Sequence, residues 1–296
     1  MTAPRQVLPD TTYLLTRRCS ERRFFLRPSR TTNAIFLYVL ALAARMFRVR
    51  VHAFCVLSNH YHLVLTDPDG HLPAFMQYLD SLVARAMNAS LGRWEGFWSA
   101  DGSYSAVTQG DAGDIVRKIA YTLANPSSAG LVRSGREWPG IWSAPEQLAS
   151  ATLTAPRPDI FFSPAMPESA SLELALPPGF SSAEELQRLV TTAMAELEEE
   201  HRNQAPKRGF LGRARVLAQR PFSRPALDEP RRKLNPRIAA RDKWKRIEAI
   251  ERLRAFLEAY RLALAELRSG VRDALFPAGT YQLRLEHNVR CAALRA

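Results

Sequence analysis

The segment Val51–Thr66, VHAFCVLSNHYHLVLT, reads as two apolar strands folded back on each other at Ser58-Asn59. Val51–Leu57 and Tyr61–Leu65 are rich in β-branched and large apolar residues, and a Ser-Asn pair between such runs favours a tight turn. Side chains alternate faces along a strand, so His60, His62 and Val64 share one side while Tyr61, Leu63 and Leu65 take the other. Two imidazoles spaced in this way lie roughly 6–7 Å apart at Cβ, close enough to converge on one cation, and a strand holds both before the cation arrives. Histidine pairs also occur on strands as plain surface residues and in several hydrolase folds, so the pair alone fixes no chemistry.

Working outward, Thr11–Thr16 reads as an earlier strand, followed by a basic loop with Arg17, Arg18, Arg22 and Arg23. Solvated charge is one reading of that loop; phosphate contact is favoured beside a candidate phosphoryl-transfer site. A helix over about Thr31–Phe47 places Ile35, Val39, Leu42 and Met46 on one stripe. After the histidine hairpin a second helix starts near Pro73, with Phe75, Leu79, Leu82 and Ala86 at helical spacing and Tyr78 read as a packing residue. The Gly- and Trp-rich loop Gly92–Trp98 either covers the core, the favoured reading, or stacks nucleobases, and the strand Tyr104–Gln109 follows. Strand, helix, strand, strand, helix, strand is the ferredoxin-like α+β order, an antiparallel sheet with helices on one face. The open face would then present His60 and His62.

The next helix, DIVRKIAYTLAN, is expected over Asp114–Asn125, capped by Asp114 and stopped by Pro126. Tyr121 and Asn125 are four apart and share a face. A tyrosine at a core edge and an Asn-Pro at a helix end are both ordinary structural features. Two patterns in order nevertheless resemble one known family. Leu57-Ser58-Asn59-His60-Tyr61-His62-Leu63 resembles the HUH signature (His, hydrophobic, His) of single-tyrosine transposases, with Ser58 where that family commonly has proline. Tyr121-x-x-x-Asn125-Pro126-x-x-Ala129-Gly130-Leu131-Val132 resembles the signature of REP-associated tyrosine transposases within that superfamily (IS200-like transposases). The resemblance covers roughly residues 11–145. It implies that Tyr121 is the nucleophile and that Asn125 joins His60 and His62 around a divalent cation, Mg²⁺ or Mn²⁺. It also implies single-stranded DNA substrates carrying short REP-like hairpins, and favours a monomer over a dimer. Lys118, one turn before Tyr121, is a candidate to lower the phenol's pKa or to touch phosphate, and equally a solvated residue.

Composition agrees with a nucleic-acid partner and excludes several classes. With 296 residues and a net charge of +12, the chain is expected to meet a polyanion, nucleic acid before membrane. Three scattered cysteines are too few for a disulfide framework or a zinc knuckle, which favours a reduced, cytoplasmic (nucleoid-associated) setting. The longest apolar run, Ala34–Phe47, is interrupted by Arg45 and shorter than the ~20 residues of a bilayer span. Residues 1–150 are expected to form the HUH catalytic domain, and the Pro-, Ala- and Ser-rich residues 151–180 a linker. Residues 181–296 are expected to form a basic, mainly helical extension. There Ser182 and Glu185 form a capping-box pattern, Lys207–Arg246 is a strongly basic run suited to DNA-backbone contact, a long helix covers about Arg241–Ser269, and Thr280–Leu285 looks strand-like. The expected function is metal-dependent cleavage and rejoining of hairpin-bearing single-stranded DNA through a 5′-phosphotyrosine. Its alternatives are a non-catalytic nucleic-acid-binding protein that retains the fold, and a metal-dependent hydrolase that uses water.

Overall fold

Strand β1 (Thr11–Arg18) occupies the middle of a five-stranded sheet, flanked by β3 (His60–Asp67) on one side and β4 (Ser105–Gln109) on the other, both antiparallel to it. β2 (Arg50–Leu57) pairs with β3 through the Ser58-Asn59 turn, and a two-residue strand β7 (Ile238–Ala239) runs parallel to β4 at the far edge. The order β2-β3-β1-β4-β7 is the ferredoxin-like order expected from the sequence, extended by one strand from the C-terminal half. This computed structural model describes residues 4–100, 103–204, 209–225 and 236–293.

Alternation sorts the strand residues between two cores. Tyr13, Leu15, Phe54, Val56, Tyr61, Leu63 and Leu65 face helices α1 (Arg30–Phe47) and α2 (Leu72–Leu91). Helix α1 starts on Ser29, whose hydroxyl accepts from the Thr32 amide, and buries Ile35, Val39 and Leu42, whereas Met46 lies 58% exposed, outside the expected stripe. The opposite face was expected to be open. Instead Leu14, Ala53, Val64 and Val107 are covered by α3 (Ala112–Ser128), which buries Ile115, Ile119 and Leu123 against them. Each such side chain contributes up to about 1.5–3 kcal/mol when fully buried.

Both expected ends of α3 shift. Asp111, not Asp114, is the N-cap, accepting from the Asp114 amide at 2.9 Å. The helix continues through Pro126 to Ser128 and stops on Gly130 (φ +67°): the Gly130 amide donates to the Ser127 carbonyl and the Leu131 amide to the Pro126 carbonyl. These two bonds make a Schellman ending, so glycine rather than proline terminates this helix.

The segment expected to be a linker is a built layer. β5 (Thr152–Pro156) and β6 (Ser169–Glu173) form an antiparallel hairpin whose Ala155, Ala170 and Leu172 join the α1 core, and Tyr38 donates to the Pro167 carbonyl at 2.6 Å. Beyond it, α4 (Ala183–Asn203) starts on Ser182 and packs Leu186, Val190 and Met194 against α3, giving a fourth layer. Glu185 reaches back to the Ser181 amide, one residue before the expected partner. The short helix α5 (Arg213–Leu217) and the long helix α6 (Lys243–Arg268) follow. Residues 280–285 form no strand: Gln282–His287 is helix α7, built from helix-favouring Gln, Leu, Arg and Glu. Of the basic run, Lys207, Arg208, Arg231, Arg232 and Lys233 lie outside the described residues. No helix among the described residues is long and apolar enough to cross a membrane.

His52 ties these layers together. It is fully buried at the bulge in β2; its Nδ1 meets the Ala175 carbonyl at 2.8 Å and its Nε2 the Thr66 hydroxyl at 2.8 Å. A carbonyl only accepts, so Nδ1 carries the proton and Nε2 takes the Thr66 hydroxyl in the neutral ring. Burial holds its pKa down to about 4. A depressed histidine lends stability that is fully present above its unfolded pKa of ~6.5 and is lost as pH falls from there towards the folded value. We expect melting temperature to drop between pH 6.5 and 4, with about 3 kcal/mol assigned to this ring. His52→Gln should flatten that part of the profile in a thermal-denaturation series.

Candidate active site

The site forms where the β3 histidines meet the underside of α3. His62 on β3 lies opposite Thr16 of β1 and His60 opposite Arg18. The Thr16 hydroxyl is 2.8 Å from His62 Nδ1. Asn59 Oδ1 is 2.7 Å from His60 Nδ1, and the Asn59 amide is itself oriented by donating to the Arg22 carbonyl at 3.2 Å. Because Asn59 Oδ1 can only accept, His60 Nδ1 holds the proton and Nε2 keeps its lone pair. The two imidazole centroids are 4.9 Å apart, and that of Tyr121 is 5.5 Å from His62. Asn125, one turn further along α3 and 6% exposed, hydrogen-bonds His60 through its side chain. His60, His62, Tyr121 and Asn125 therefore occupy one place, as the two sequence patterns require.

Burial dominates the electrostatics. Desolvation first, then the Arg18 guanidinium, push the pKa of His60 down to about 3; burial and then His60 push that of His62 well below its ordinary value. Both rings are neutral at physiological pH, with no proton to lose before binding a cation. Among the described residues no cluster of three or more His, Cys, Asp or Glu is placed to hold a metal. The donor set that is present consists of two imidazole nitrogens, each with its Nδ1 already engaged, and the Asn125 amide oxygen. It fits a divalent cation that completes its shell with substrate oxygens and water.

The remaining expected site residues separate. Arg18 is exposed beside His60, and the charge of Arg22 also acts on that ring. Arg17 points to the other face of the sheet, where its Nε lies 3.5 Å from Asp80 and its side chain is 15% exposed. Arg23 donates to Glu21 and to the Phe222 carbonyl. Lys118 Nζ sits 5.8 Å from the Tyr121 ring centroid, and partial burial lowers its pKa. Tyr61 and Tyr78 lie on the far side of the sheet: Tyr61 is buried and donates to Asp80 at 2.6 Å, and Tyr78 packs on Phe47, as expected of a packing residue. Thr16 and Asn59 are the residues that the sequence did not single out for the site. Asn59 stood inside the recognised pattern, whereas Thr16 needed the strand register.

No family model matches this chain, and no curated protein matches it. Several solved chains are similar to it, including the following two. One is a REP-associated tyrosine transposase bound to a REP hairpin, at 17% identity and a TM-score of 0.41, over 47% of this chain and 81% of the other. The second is a transposase candidate from Deinococcus radiodurans R1, at 23% identity and a TM-score of 0.29, over 36% of this chain and 85% of the other.

The hydroxyl of Tyr121 makes no hydrogen bond among the described residues and its side chain is 39% exposed, so it serves no visible packing purpose. Tyr121→Phe should change unfolding free energy by less than about 0.5 kcal/mol. Tyr61→Phe, which leaves buried Asp80 without its donor, should cost about 1–3 kcal/mol in the same urea titrations.

Proposed function

We propose that the chain is a metal-dependent single-stranded DNA transesterase of the HUH single-tyrosine type, a transposase acting on hairpin-bearing DNA. The observation that carries this reading is the meeting of His60 and His62, on a central strand, with Tyr121 and Asn125, two turns of a helix some sixty residues away in sequence. Tyr121 has a free, solvent-facing hydroxyl above two neutral imidazoles, and Arg18 and Arg22 supply positive charge at the same edge.

His60, His62 and Asn125 would hold the cation, Mg²⁺ or Mn²⁺. When bound, it polarises the scissile phosphate and offsets charge developing in an in-line displacement. The chain's own groups do the rest. Thr16 and Asn59 fix the ring orientations, and Asn59 keeps His60 Nδ1 protonated. Tyr121 Oη forms a bond to phosphorus as the bond from phosphorus to the 3′ oxygen breaks; the phenolic proton balances the one that the 3′ oxygen gains. The products are a 5′-phosphotyrosine and a free 3′-hydroxyl, and a second 3′-hydroxyl can reverse the step without a nucleotide cofactor. Arg18 is the favoured phosphate contact, with Lys118 and Arg22 beside it.

With end-labelled hairpin DNA and Mn²⁺, wild type should carry a protein-linked label on a denaturing gel. Tyr121→Phe should carry none while binding the hairpin with unchanged affinity. A label that persists in Tyr121→Phe would move the nucleophile to another residue, and no label in wild type across several hairpins would leave a non-catalytic binding protein as the better reading.

His60→Ala and His62→Ala should each abolish adduct formation, and Asn125→Ala should lower it less, because water can replace one neutral oxygen ligand. His62 is buried, so its truncation is also expected to cost stability, and circular dichroism must accompany the assay. Asn59→Ala, which keeps every ligand but releases His60 Nδ1, should weaken Mn²⁺ binding about 10–100-fold by calorimetry.

A further inference from the structure

The loop that supplies Arg22 to the histidines has a second side. Its Cys19 amide donates to the Asn59 carbonyl at 2.8 Å, its Ser20 amide donates to the Phe97 carbonyl at 2.9 Å, and its Arg22 carbonyl accepts from Asn59. Behind this wall lies an open pocket of about 460 Å³, bounded by the Ser20–Arg23 loop, the Arg93–Gly96 loop and Phe222 of the C-terminal extension. Its volume is in the range, about 300–1,000 Å³, that accepts small ligands. Trp94 at its rim is 89% exposed and Phe222 is 52% exposed. Trp94 is a large aromatic that the core does not use, and Phe222 meets buried Phe25 only edge-on, with ring centroids 6.2 Å apart; Phe97 and Trp98 are packed, Trp98 donating to the Asp80 carbonyl at 2.8 Å. Arg93 lies 4.0 Å over the Phe25 ring, and Arg23 bonds the Phe222 carbonyl at 2.7 Å, so two guanidinium groups border the same space.

We propose that this pocket is a nucleobase-stacking subsite for single-stranded DNA running out from the His60–Tyr121 site. A single strand is the occupant whose chemistry matches, because its unpaired bases offer flat π-faces to Trp94 and Phe222. Duplex DNA would not expose such a face. Glu21 and Glu95 line the pocket together with Arg23 and Arg93, and Arg23 pairs with Glu21 at 2.8 Å, so the lining carries no net charge and recognition rests on the aromatic faces. Phe222 belongs to the extension, which the Phe24 amide holds by donating to the Ser223 carbonyl at 2.9 Å; the subsite is therefore completed only by the full chain. This inference rests on the DNA-processing reading above, but its readout is binding, independent of cleavage.

The test uses the full-length chain carrying Tyr121→Phe, so that cleavage does not enter. Fluorescence anisotropy measures a labelled hairpin without extension and the same hairpin with a single-stranded extension of about eight nucleotides, on the 5′ or the 3′ side. Adding Trp94→Ala or Phe222→Ala should weaken binding of one extended hairpin about 5- to 150-fold and leave the unextended hairpin unchanged. Trp94→Tyr should recover most of the loss. Unchanged affinity for both extended hairpins, equal losses with and without extension, or no preference of the parent chain for extended DNA would each overturn the subsite. If wild type forms no adduct with any hairpin but the extension-dependent loss persists, the catalytic reading falls and the subsite stands.

Discussion

The contact between α3 and the Leu14–Ala53–Val64–Val107 face of the sheet is what the rest of the site depends on. A helix with Ile115, Ile119 and Leu123 at helical spacing has an apolar stripe, and the sheet offers a matching apolar surface. Docking that stripe brings the adjacent strip of the same helix, Tyr121 and Asn125, to the edge where β3 presents His60 and His62. The same burial desolvates the imidazoles and holds them neutral. Position, protonation state and access thus follow from one packing choice, and Tyr121 stays 39% exposed because it lies at the boundary of the stripe.

The C-terminal half fastens this helix at both ends. At its start, Lys245 pairs with Asp111 at 3.0 Å and the Arg241 amide donates to Asp114 at 3.1 Å, while β7 adds to the sheet next to β4. At its end, the Leu211 and Gly212 amides donate to the Gly130 and Leu131 carbonyls, the two residues of the Schellman ending, and Val216 is buried beside Leu57 and Val132. Gln219 accepts from Ser58 in the turn that precedes the histidines. Residues of the extension therefore hold both ends of α3 and the turn that leads into β3.

The βαββαβ core was legible because alternation and 3.6-residue periodicity are local signals, and the site was legible because its two patterns are short and contiguous. What was not legible depended on partners distant in sequence. Leu153 and Ala155, then Ala170, Leu172 and Leu174, do alternate with exposed residues, but proline and serine around them mask the pattern until α1 supplies a surface to cover. The strand-like Thr280–Leu285 reads as β by its threonine and tyrosine, but the following Gln-Leu-Arg-Leu-Glu takes its own helical preference. Thr16 became a site residue only once β1 and β3 were in register.

Net charge is similarly a coarse guide, because burial and pairing decide which cations remain for a partner. Arg17 and Arg18 are neighbours on β1, yet alternation sends them to opposite faces. Arg17 meets Asp80, whose carboxyl burial raises to about 7 despite the hydrogen bond from Tyr61 and the nearby guanidinium. Arg17 thus belongs to a partly buried polar cluster under α2, and removing it would leave a carboxylate stranded. Arg5 and Arg157 are likewise turned to backbone carbonyls, of Tyr104 and Pro164. The excess of +12 therefore does not describe an even basic surface. Near the histidines, Arg18 on β1 stands exposed, and Lys118 on α3 is half-buried with its Nζ 5.8 Å from the Tyr121 ring centroid. A phosphodiester approaching the histidines would meet positive charge from both the strand and the helix, while the back of the sheet holds its arginine for folding.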